Sequence, residues 1–96
     1  MNREEILRIL HDSRSALDQL GVARVALFGS FARGDAAEGS DVDLLVEFRR
    51  PVGLLHFVHV RSRLEEILGR RVDLVTPDGL HPALREEVLA EAVDAA

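Results

Sequence analysis

Three aspartates and a glycine-serine turn are the residues of this chain best suited to do chemistry. Asp41 and Asp43 stand at i, i+2 in Ser40-Asp41-Val42-Asp43-Leu44, a short loop after Gly29-Ser30-Phe31-Ala32-Arg33-Gly34. Val42, Leu44 and Val46 alternate with Asp41, Asp43, Leu45 and Glu47, a strand pattern that sends both aspartates to one face. Two carboxylates about 5 Å apart repel by roughly 3 kcal/mol at an effective dielectric near 20. Either one keeps a proton through a raised pKa, or a divalent cation neutralises both. Hard oxygen ligands with no Cys nearby favour Mg²⁺ or Mn²⁺ over Zn²⁺. Mg²⁺ takes one or two protein carboxylates and completes its shell with water and substrate phosphate. The Gly29-Ser30 turn offers backbone N–H groups and a hydroxyl to that phosphate, and Arg33 a charged clamp. An isolated Asp-x-Asp is more often a solvated edge strand, but the turn and the arginine ahead of it favour a site for a metal-bound nucleoside triphosphate.

A third carboxylate belongs to the same argument. Arg71-Val72-Asp73-Leu74-Val75-Thr76 reads as a further strand, with Asp73 on the face opposite Val72 and Leu74. Aspartate is depleted in strands, so its presence asks for a reason. One reason is an exposed face or an ion pair with Arg70 or Arg71. The other is a place beside Asp41 and Asp43 in a three-carboxylate cluster able to hold two metals. Two such ions stabilise the attacking and leaving oxygens of a displacement at phosphorus, and Asp73 is then the candidate base for an acceptor hydroxyl.

The elements that must position these groups follow from periodicity and punctuation. Asn2 is the expected cap of one helix carrying Ile6, Ile9, Leu10, Leu17 and Leu20 on its apolar face, ended by Gly21. Val25-Ala26-Leu27-Phe28 is a buried strand that stops at Gly29. The loop from Arg33 to Gly39 begins as a short helix near Ser30. A helix from about Val52 to Leu68 turns Leu54, Phe57, Val58, Leu64, Ile67 and Leu68 inward, and Gly69 stops it. Pro82 opens a last helix with Leu84, Val88 and Leu89 on its apolar side. The order α-β-(short α)-β-α-β-α gives an α/β (α+β) fold around a small mixed sheet of about three strands, in a single domain spanning 1–96.

Composition narrows the class. The 96 residues carry 17 acidic side chains against 12 basic ones, all arginine, for a net charge of −5. A chain that grips a phosphate backbone shows a basic patch with interleaved aromatics, and none is visible, so a nucleic-acid substrate is disfavoured. No apolar run reaches the length of a membrane span and no signal peptide is visible. The absence of Cys excludes disulfides and suits a cytoplasmic location. His56 and His59 stand at i, i+3 but lack further ligands and read as surface groups. Phe31 either covers the nucleotide or anchors its loop.

The run from Leu27 to Val46, with Asp73 after it, resembles the minimal nucleotidyltransferases of the DNA polymerase β superfamily. Their signature is Gly-Ser, an Arg-Gly loop, Ser-Asp-x-Asp-Leu and a later strand Asp. It is met here by Gly29-Ser30, Arg33-Gly34, Ser40-Asp41-Val42-Asp43-Leu44 and Asp73. The similarity extends over nearly the whole chain. It implies the nucleotidyltransferase fold, catalytic and metal-holding roles for Asp41, Asp43 and Asp73, and nucleotide binding by Gly29, Ser30, Arg33 and Ser40. It also implies Mg²⁺, or Mn²⁺, as cofactor and ATP as donor.

Larger relatives add a domain that binds the acceptor or the base, and this chain ends soon after its last helix. The expected acceptor is therefore a small molecule at an open cleft or a protein brought by another chain, and the resemblance implies the second. Minimal nucleotidyltransferases pair with all-helical HEPN proteins in toxin–antitoxin modules and transfer AMP to a tyrosine of the toxin. With no Tyr in this chain, such an acceptor has to lie in trans. Two alternatives stand beside this one: an antitoxin that neutralises its partner by occupancy alone, and a small-molecule adenylyltransferase. A homodimer is compatible with the size and exposed faces of the chain.

Overall fold

The sheet is organised around β1 (Val22–Phe28), whose apolar run lies between two partners. In the computed structural model, which describes residues 1–95, the strand order is β3-β2-β1-β4. β2 (Val42–Phe48) pairs antiparallel with β1, and β3 (Val72–Val75) pairs parallel with β2. The fourth strand, β4 (Val93–Asp94), is a two-residue addition to the three expected, antiparallel to β1 through Ala26↔Asp94 and Leu27↔Val93. Arg24 secures this short strand by donating to Asp94 at 2.6 Å.

Parallel neighbours need a crossover, and α4 (Leu54–Leu68) supplies it between β2 and β3. Val60, Leu64 and Leu68 of α4 are buried against Val42, Leu44, Val46, Val72 and Leu74 of the sheet. Leu54 and Val58, expected to face inward, are exposed instead, because the face of α4 that meets the core carries Phe57, Val60, Leu64 and Leu68. Glu65 ties helix to strand by accepting from the Val72 N–H at 3.0 Å.

The expected first helix is two helices, α1 (Arg3–Asp12) and α2 (Arg14–Gln19). Asn2 caps α1 by accepting from Glu5 N–H, and Ile6, Leu10 and Leu17 are buried. The chain bends at Ser13, where Asp12 and Ser13 are helix-weak residues whose side chains compete for backbone groups. A short helix α3 (Gly29–Arg33) follows β1, and α5 (Pro82–Glu91) follows a 3₁₀ turn at Pro77–Gly79. α5 departs from expectation: it has no buried residue, and Leu84 and Leu89 are exposed. No helix among the described residues is long and apolar enough to cross a membrane.

Candidate active site

The antiparallel register sets Phe28, the last residue of β1, opposite Asp43. The parallel register sets Asp43 beside Asp73 and Leu44 beside Leu74. With strand side chains alternating, the two aspartates share one face while Val42, Leu44, Val72 and Leu74 fill the core on the other. Phe28 runs directly into Gly29, so the glycine turn is delivered to the same end of the sheet.

Gly29 has a left-handed φ of +74°, and a Cβ there would collide with the Asp43 carboxylate. Glycine is required on both counts, conformation and space. The close approach lays the turn against the Asp43 carboxylate. Phe31 is buried, with the Arg70 guanidinium 5.3 Å from its ring centroid, so it anchors the loop. Ser40 turns into its own loop, where its hydroxyl accepts from the Ala37 N–H at 2.9 Å.

Asp43 carries the electrostatic load of the site. Burial raises its pKa to about 6, and the charges of Asp73 and then Asp41 push the same way. The parallel register sets Asp73 beside Asp43, where its charge opposes ionisation of Asp43. Asp41 stands somewhat apart and meets the exposed Arg71 at 3.5 Å. Asp73 therefore has Asp43 as its neighbour, and the arginine considered for it serves Asp41. Among the described residues no three acidic or imidazole groups converge tightly on one point. The donor set still fits a hard divalent ion: all oxygens, no thiolate, and mutual repulsion that a cation relieves.

Glu91 of α5 is the residue that the motif reading missed. Its Oε1 accepts from the Gly29 N–H at 2.7 Å and from Arg33 Nη1 at 3.1 Å. Arg33 also donates to Asp35 at 3.2 Å, so both groups assigned to phosphate have carboxylate partners. A single glutamate in a helix with other glutamates gives no sequence signal. Only the tertiary fold brings it to residue 29.

The nucleotidyltransferase domain family model matches residues 7–95. The chain belongs to this family. It is 43% identical over 91 residues to the protein adenylyltransferase MntA of Thermococcus cleftensis, with 94% of this chain and 92% of that one aligned. A solved structure assigned to the minimal nucleotidyltransferases superposes with a TM-score of 0.82 at 44% identity, covering 97% of this chain and 95% of the other. The fold is shared more distantly with a chain from the complex of a tri-AMPylated Shewanella oneidensis HEPN toxin with MNT antitoxin. That match has a TM-score of 0.67 at 17% identity and covers 94% of this chain and 71% of the other. The chain is accordingly a nucleotidyltransferase enzyme. Its mixed sheet flanked by helices is the expected fold, with one strand more than the three expected.

Proposed function

We propose that this nucleotidyltransferase moves AMP from ATP, with a divalent cation, onto a hydroxyl of a partner protein, and that the partner is a HEPN-type helical toxin. The observation that carries this reading is the register that sets Asp43 beside Asp73 while the Gly29 turn packs on Asp43. Asp41, Asp43 and Asp73 are the residues to hold Mg²⁺, and the ion, when bound, supplies neutralisation of charge on the transferring phosphoryl group. Gly29, Ser30 and Arg33 hold the triphosphate through N–H, hydroxyl and guanidinium donors. Ser40 orders the loop from Ala37 that delivers Asp41. Asp73, exposed on the edge strand β3, accepts the proton of the attacking hydroxyl. The likeness to an adenylyltransferase MntA and to a HEPN–MNT complex supports donor and partner class.

The test is transfer of labelled AMP to a co-expressed HEPN partner by wild type and by the Asp41→Asn/Asp43→Asn double variant. Transfer should disappear with the far-UV spectrum and melting behaviour retained. Undiminished transfer by a folded double variant would refute the assignment. The same variant weighs occupancy against catalysis, since an occupancy antitoxin neutralises its partner without those carboxylates.

A further inference from the structure

The Gly29 N–H and the Arg33 guanidinium form a donor pair of the kind that takes phosphate oxygens, yet both are engaged from within the chain. Glu91 Oε1 lies 2.7 Å from the Gly29 nitrogen, and Arg33 Nη1 lies 3.1 and 3.3 Å from the two carboxylate oxygens. The Glu91 side chain retains 23% of its exposure, so it is largely enclosed while Arg33 stays half open to solvent. Phe28, Gly29, Arg33, Asp43, Glu87 and Glu91 help line a cleft of about 280 Å³ between the turn and α5. Three of these are carboxylates and one is a guanidinium, a poor balance for a carboxylate whose only role is structural.

We propose that Glu91 is an intramolecular anion seated on the donor cradle, and that a nucleoside triphosphate binds by displacing it. The inference rests on the reading of Gly29 and Arg33 as triphosphate ligands. A carboxylate and a phosphate oxygen compete for one N–H and one guanidinium, and two anions cannot share them in a half-buried cleft. Displacement needs only a side-chain swing, because the backbone beyond Glu91 is held independently by the β4 pairing and the Arg24–Asp94 contact. Empty, the turn is kept ordered by Glu91. Loaded, it exchanges one anion for another. The carboxylate thereby lowers apparent donor affinity and keeps other anions off the cradle.

Calorimetric titration of the whole chain with the non-hydrolysable ATP analogue AMP-PNP and Mg²⁺ tests this. Glu91→Gln keeps an oxygen for the Gly29 N–H and removes the charge, and Glu91→Asp keeps the charge and shortens the reach. Both should tighten binding by about tenfold, the scale of one charge-assisted contact. Glu87→Gln, which removes the same charge from the same cleft without a contact to the turn, should shift it by less than about threefold. Inorganic tripolyphosphate as a base-free probe should show the same ranking. Arg33→Ala should weaken binding of both probes. Unchanged or weaker binding by Glu91→Gln and Glu91→Asp, with Arg33→Ala weakened, overturns the displacement while leaving the cradle in place. Unaltered binding by Arg33→Ala overturns the cradle and the displacement together. Melting curves on each variant identify any loss that comes from unfolding, and Glu91→Asp then decides if Glu91→Gln is the one that unfolds.

Discussion

Asp43 is the residue at which position, charge and backbone meet. It is opposite Phe28, beside Asp73 and pressed on Gly29, and its pKa rises to about 6, chiefly through burial and then through the neighbouring aspartates. A folded pKa above the unfolded value means the native state holds its proton more tightly than the unfolded chain does. The resulting stabilisation is complete below about pH 4 and is lost as pH rises through 6. In metal-free protein, Asp43→Asn should therefore gain melting temperature relative to wild type as pH goes from 4 to 7.5. A difference between the two proteins that stays flat over this range would show that Asp43 is not perturbed. The effect is tempered by solvent, since the side chain is only partly buried.

Among the elements, the strands and their punctuation were the legible part. The apolar run ending at Gly29 and the alternation after Asp41 located β1 and β2, and the cap at Asn2 and the stop at Gly69 fell as expected. Parallel pairing of β2 with β3 is not written in either strand. It comes from the length and apolar stripe of α4, and with it comes the juxtaposition of Asp43 and Asp73. The helices were less legible because apolar residues do not all face a core. A helical count assigns Leu54 and Val58 to the inner face, whereas the core meets the face of Phe57, Val60, Leu64 and Leu68. Glu91 was illegible for a related reason: its contact spans 62 positions to Gly29, and no local pattern encodes it. The facing of α4 is open to measurement. Leu64→Ala, at a site with no exposure, should cost about 3 kcal/mol in denaturant unfolding. Leu55→Ala, at a side chain 88% exposed, should stay within about 0.5 kcal/mol. Equal costs at the two positions would mean α4 is rotated from the face described.

For the molecule as a whole, charge decides which polymers it can hold. Seventeen acids against twelve arginines set a field that repels a phosphate backbone. Several arginines are also engaged in ion pairs: Arg24 with Glu47 and Asp94, Arg49 with Asp18, Arg85 with Asp78, Arg71 with Asp41. Polyanion binding releases counterions only where several free cations line one surface, and the paired arrangement works against that. On the proposed reading a triphosphate escapes the same repulsion, because it is small, would arrive with its cation and would need only the local donors of Gly29, Ser30 and Arg33. Filter binding of single-stranded RNA at 50 and 200 mM salt, both on the order of those that separate backbone binders from others, should show no saturable retention at either. Retention that falls steeply with salt would place a basic track on this surface and return nucleic acid to the list of acceptors. Failure to bind RNA alongside tight, metal-dependent binding of AMP-PNP would leave a hydroxyl of a protein or a small molecule, rather than of a nucleic acid, as the acceptor suited to this charge distribution.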